Sequence, residues 1–177
     1  MRKLLLSALL VSSCTDSTPE KDLELDIDMS RVTVSGISSG AHMAHQLHIA
    51  YSDIFSGAGI FSGGPYNCAD NSLKQGLGLC MMNTENPIDV DAIADGIRQA
   101  SAAGELADPA NLADDRVWLF HGTKDSVISS QVHGATSELY TDFMPSEQIV
   151  SVDDVETDHV FPADGRGVSC LAVEPPY

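Results

Sequence analysis

The stretch Gly36-Ile37-Ser38-Ser39-Gly40 sets a serine between two glycines at Gly-x-Ser-x-Gly spacing. This spacing marks a sharp strand-to-helix turn that lifts a serine hydroxyl above a sheet edge, where it can attack a carbonyl carbon. The two glycines remove side chains where strand and helix approach closely, and the pattern puts Ser38 at the apex. The backbone N–H of Ser39 would open the helix and face the oxyanion of a tetrahedral intermediate. A serine hydroxyl needs a base, and the base needs an orienting carboxylate, following in the order serine, acid, histidine. Downstream, the apolar run Arg116 to His121 leads into Gly122-Thr123-Lys124-Asp125, and Gln148 to Val152 leads toward Asp158-His159. Asp125 and His159 are therefore the candidate acid and base.

The other histidines are weaker candidates. His42, His45 and His48 recur every third residue, a spacing that drifts around a helix, so they are expected to be solvated or half-buried and not metal ligands. His121 ends the strand leading to Asp125, where it can support the site from behind, and His133 carries no signal. Asp158 and Glu156 are rival carboxylates, but residues adjacent to an imidazole seldom face it well. No cysteine or histidine grouping has zinc spacing, and the chemistry expected needs no metal or organic cofactor.

These side chains must be carried by elements that the pattern also shows. Arg31 to Ser35 alternates with β-branched residues and predicts a strand. Met43, Ala44, Leu47, Ala50 and Tyr51 recur at helical spacing, predicting a helix from Ala41 to about Tyr51. Ala58 to Ser62, Arg116 to His121 and Gln148 to Val152 predict further strands. Ile88 to Ala103 and a segment within Ser130 to Met144 predict helices, and Asn67 to Asn86 reads as loop. Strands alternating with helices predict an α/β fold, a mostly parallel sheet with helices on both faces.

The chain has 177 residues, and 26 acidic against nine basic side chains give a net charge of −17. A field of that sign sets aside nucleic acid and anionic lipid as partners, but is indifferent to a neutral ester. Residues 1–13 read as a signal peptide: Met1-Arg2-Lys3 is basic, and Leu4 to Val11 is apolar but too short to span a bilayer. Ser12-Ser13-Cys14 resembles a lipobox, so Cys14 is expected to carry a lipid, the alternative being an ordinary leader with Cys14 merely nearby. Residues 14–28 form an acidic tether and residues 29–177 the folded domain. The protein is thus expected outside the cytoplasm, as an outer-membrane or cell-surface lipoprotein or otherwise secreted or periplasmic, touching membrane only through that anchor. In an oxidising compartment Cys68 and Cys80 can pair, which leaves Cys170 without an obvious partner.

Taken together, VSGISSGAHMAHQLHIAYSDIFSGAGIFSGGPYNCA, DDRVWLFHGTKDSVI and TDHVFP resemble the catalytic domain of poly(3-hydroxybutyrate) depolymerases, in the group whose α/β-hydrolase fold is circularly permuted. The resemblance runs from about Ser30 onward and implies a serine esterase acting on a polyester or oligoester, with nucleophile Ser38, acid Asp125 and base His159. It implies further strands and a second oxyanion donor after the histidine, so the chain is expected to be a partial domain. Asp158 stands where the family has a small residue. Two rival readings share these residues: a feruloyl- or acetylxylan-type carbohydrate esterase, and a non-catalytic surface lipoprotein. Without a polymer-binding module in view, soluble oligomers are expected as substrates ahead of crystalline polymer.

Overall fold

The computed structural model describes residues 26–82, 86–163, 165 and 169–173. Cys14, the leader and most of the acidic tether lie outside the described residues. Among the described residues four parallel strands form one sheet in the order β1 (Val34–Ile37), β2 (Gly57–Phe61), β3 (Arg116–Phe120) and β4 (Ile149–Val152). Their registers pair Val34 with Ala58, Ala58 with Val117, and Val117 with Ile149. Each strand has four or five residues.

The main helices are α1 (Ser39–Ala50), α3 (Val90–Ala102) and α4 (Ser130–Thr141), with a short α2 (Leu73–Gly78). Side chains start two of the long ones: Asp89 accepts from the Ala92 amide at 2.9 Å, and Ser129 from that of Val132. Each cap satisfies an amide that has no partner inside its helix. Ala41, Ala44 and Ile49 of α1, Val90, Ala94 and Ile97 of α3, and Leu139 and Tyr140 of α4 form one core with Ala58, Ile60, Val117 and Leu119 of the sheet.

Among the described residues the three long helices therefore pack on one face of the sheet. The strand order explains this: right-handed crossovers that always step the same way deliver every helix to the same side. Among the described residues the opposite face carries Arg31, Ser35, Gly59, Trp118 and Val150 along a groove of about 720 Å³. Two expectations are corrected. The segment read as loop contains α2, whose Ser72 cap sustains a helix too short to show a periodicity. His45 and His48 are fully buried and not half-solvated. His45 Nδ1 meets the Gly64 carbonyl at 3.1 Å, and His48 sits between the Tyr140 hydroxyl at 3.0 Å and Asp115 at 3.1 Å. No described helix is long and apolar enough to cross a membrane.

Candidate active site

β1 runs directly into Ser38, whose φ of +57° and ψ of −122° make it the strained corner between strand and helix. A side chain seldom adopts this region, and the surrounding backbone holds it there. The Ser38 amide donates to the Phe61 carbonyl at 3.0 Å, and the Ser38 carbonyl accepts from the His42 amide at 3.0 Å. Gly36 is obligatory, because a Cβ there would run into the backbone of Gly40. Ser39 is the first residue of α1, so its amide belongs to the helix end whose N–H groups lack intrahelical acceptors.

Asp125 lies in the loop after β3 with its carboxylate fully shielded from water. His159 presents Nδ1 to both oxygens, at 3.0 and 3.1 Å. A carboxylate only accepts, so Nδ1 carries the proton and Nε2 keeps its lone pair. Asp125 Oδ1 also accepts from the amides of Val127 at 2.9 Å and Ile128 at 2.8 Å. Burial works to raise the Asp125 pKa. The bonds from His159, the Ile128 amide and the Val127 amide, with the approach of the Ser62 hydroxyl, outweigh it and lower the pKa to about 2.

The acid and base loops are stitched together. The Thr123 amide donates to the Val155 carbonyl at 2.9 Å, and that of Lys124 to Thr157 at 3.1 Å. Gly122 permits this, since a Cβ there would strike the Thr157 carbonyl. Asp158 does not face the imidazole. Its Oδ1 accepts from the His159 amide at 2.7 Å and from the amide and hydroxyl of Ser126, both at 2.8 Å. The extra carboxylate of the sequence thus ties the two loops. Burial opposes the drop in its pKa, but the bonds from Ser126 and His159 prevail and lower it.

The nucleophile corner meets the base loop through Phe61. Its carbonyl holds the Ser38 amide, while its ring stacks on Phe161, two residues beyond His159, with centroids 4.6 Å apart. Asp125 and His159 are hydrogen-bonded; Ser38 stands at the same sheet edge, and among the described residues no hydrogen bond joins its hydroxyl to the imidazole. Catalytic contacts of this kind often close only around substrate.

A cavity of about 450 Å³ opens beside Ser38 and Ser39, walled by His42 and Met43 on one side and by Cys68, Asn71, Cys80 and Met81 on the other. Cys68 and Cys80 are disulfide-bonded, as the sequence allowed, and Cys170 is free. No group of histidine, cysteine, aspartate or glutamate able to hold a metal is found among the described residues. Two contributors were missed in the sequence. Ser62 sits buried at the end of β2 with a φ of +48°, which nothing in its residue type announces. The Cys170 carbonyl accepts from the Thr157 hydroxyl and the Asp158 amide, each at 2.7 Å, a contact between segments too far apart to read.

A parallel sheet that delivers a strained serine corner and an Asp–His pair to the carboxyl ends of its strands belongs to the α/β-hydrolase class. No protein-family model matches the chain. It is 37% identical over 154 residues to the poly(3-hydroxybutyrate) depolymerase of Delftia acidovorans, covering 86% of this chain and 31% of the relative. Against the polyhydroxybutyrate depolymerase of Talaromyces funiculosus it is 32% identical, covering 86% of this chain and 44% of that protein. The crystal structure of PHB depolymerase from Penicillium funiculosum superposes with a TM-score of 0.75 at 31% identity, covering 85% of this chain and 47% of that one. A PHB depolymerase complexed with an R3HB trimer gives the same TM-score of 0.75 at 30% identity. Over this shared span the chain belongs to the poly(3-hydroxybutyrate) depolymerase family. It spans 31% to 47% of the length of these relatives.

Proposed function

We propose that the protein is a serine esterase that hydrolyses poly(3-hydroxybutyrate) or its oligomers through an acyl-enzyme. The observation that carries this is the two-oxygen contact of Asp125 with His159 Nδ1, at 3.0 and 3.1 Å, on the sheet edge where Ser38 occupies its corner. Ser38 Oγ attacks the ester carbonyl as His159 Nε2 takes its proton, and Asp125 stabilises the imidazolium. The Ser39 amide receives the oxyanion. Collapse breaks the ester C–O bond, and His159 protonates the departing alkoxide. His159 then takes a proton from water, whose oxygen attacks the acyl carbon; Ser38 leaves with that proton and the carboxylic acid is released. The relatives' names and the complex with an R3HB trimer support a 3-hydroxybutyrate ester as the acyl donor.

We further place residues 29–177 as the catalytic domain of an exported protein, held at a membrane through a lipid on Cys14. The Cys68–Cys80 disulfide supports an oxidising compartment. Mass spectrometry of the mature N-terminus tests this, since an unmodified Cys14 in the exported protein would reject the anchor.

The test of the chemistry is release of 3-hydroxybutyrate from trimer, measured beside ferulate and acetate release from carbohydrate esters. Trimer hydrolysis by the parent chain and its loss in Ser38→Ala are expected. Trimer turnover that persists in Ser38→Ala would remove the serine from the mechanism. Faster release of ferulate or acetate would remove the polyester.

A further inference from the structure

His121 is not among the residues that line the cavity beside Ser38, yet its backbone and its ring are both held by hydrogen bonds. It follows β3 directly and is buried. Its amide donates to the Val152 carbonyl at the end of β4 at 3.0 Å, and its Nε2–H donates to the Ile128 carbonyl at 2.9 Å. The ring stacks on that of His133 from α4, with centroids 5.1 Å apart and planes 26° apart. His133 is held in turn by the Ser151 hydroxyl of β4 at 3.0 Å. The titratable groups around this pair are Asp125, whose Oδ2 lies 3.9 Å from His121 Nε2, and Asp153 near His133.

The bond to Ile128 closes the loop 121–128 at its base. That loop carries Asp125, and Ile128 is the residue whose amide donates to Asp125 Oδ1 at 2.8 Å. One peptide segment is thus gripped from both sides, its carbonyl by His121 and its amide by the catalytic acid. We propose that His121 is a positioning residue, its Nε2–H holding the Ile128 segment so that the Val127 and Ile128 amides fix the carboxylate of Asp125 against His159. This rests on the reading of Asp125 and His159 as acid and base. The requirement on residue 121 is a donor at the reach of Nε2 from a buried position, because an unpaired Ile128 carbonyl there would be costly and the loop would shift to pair it. A glutamine places its amide nitrogen at about that reach; leucine fills the space and donates nothing.

The test uses the full chain and the rate of Ser38 labelling by a fluorophosphonate across pH, together with steady-state ester hydrolysis. In His121→Leu, kcat and the labelling rate are expected to fall about tenfold with KM unchanged. The pH dependence of labelling should change with it, because the carboxylate that faces the imidazole is displaced. His121→Gln should restore both. Proton NMR of each folded variant gives a second readout: the far-downfield His159 Nδ1–H resonance should be present in the parent and His121→Gln, and shifted or lost in His121→Leu. Parent-like labelling, pH profile and resonance in His121→Leu would overturn the proposal. If His121→Leu does not fold, a His121→Gln variant that folds but fails to restore them overturns it. Failure of the parent chain to label at Ser38 would instead strike the triad reading itself.

Discussion

Acidification from pH 7 to pH 4.5 is expected to remove about 5 kcal/mol of folding stability through two histidines outside the proposed catalytic trio. Desolvation, with the neighbouring His48 and His42 acting in the same direction, lowers the His45 pKa from 6.5 to about 3, against the bond to Gly64. Desolvation and the stacked His121 likewise lower His133 from 6.5 to about 4, against Asp153 and Asp125. Below pH 6.5 the unfolded chain takes up both protons while the folded chain refuses them, so stability falls with pH at about 1.4 kcal/mol per unit for each group. At pH 4.5 each has lost about 2.5 kcal/mol. Asp125, held down at about 2, is fully favourable above pH 3.8, so it adds a loss in the same direction only below that.

A total of about 5 kcal/mol is a large share of the 5–15 kcal/mol typical of a domain. Trp118, the single tryptophan, lies half-buried in β3 and reports unfolding by fluorescence. Urea titrations at pH 7, 6, 5 and 4.5 should show the free energy falling by close to 3 kcal/mol per unit below pH 6. His133→Gln, which keeps a partner for Ser151 but no proton to take up, should halve that slope. A flat profile between pH 6 and 4.5, with the parent folded throughout, would refute the claim that these imidazoles are buried neutral.

Three further outcomes are expected. Gly122→Ala drives a methyl group into the Thr157 carbonyl, so ester hydrolysis should fall at least tenfold although Ser38, Asp125 and His159 are all retained. Asp158→Ala releases Ser126 and the His159 amide and should destabilise by about 1–2 kcal/mol with a lower kcat, read by urea denaturation and ester assay. Reduction of Cys68–Cys80, 12 residues apart, should cost about 3 kcal/mol by chain entropy and raise KM by loosening the cavity wall, seen by comparing activity with and without reductant.

The nucleophile corner was legible because glycine spacing, a β-branched strand and an apolar helical period all act locally, within the span from Arg31 to Tyr51. The pairing of Asp125 with His159 was legible for a related reason, since each follows an apolar strand by a few residues. Contacts between distant segments were not. His45 and His48 look polar in sequence, and only Gly64, Tyr140 and Asp115, brought in from three other elements, make their burial affordable. The single-faced covering of the sheet depends on strand order, which alternation of elements does not encode. The role of Asp158 depends on Ser126, 32 positions away, and its place beside His159 in the sequence points to a different one.

The two halves of the site are held by unlike means, and the difference follows from where they lie in the sheet. Asp125 and His159, the proposed acid and base, hang from the ends of the neighbouring strands β3 and β4, so their loops run side by side and hydrogen-bond to each other. The serine hangs from β1, with β2 between, and so it cannot join that ladder. Its position is set instead by backbone strain at φ +57°, a state worth about 1–3 kcal/mol that persists because Phe61 and the start of α1 hold it. β2 is the bridge between the halves. Its last residue pins Ser38 through a carbonyl and Phe161 through a ring, and the next residue, Ser62, approaches Asp125. A strand that contributes none of the three proposed catalytic side chains therefore lies between Ser38 and the Asp125–His159 pair and touches both sides.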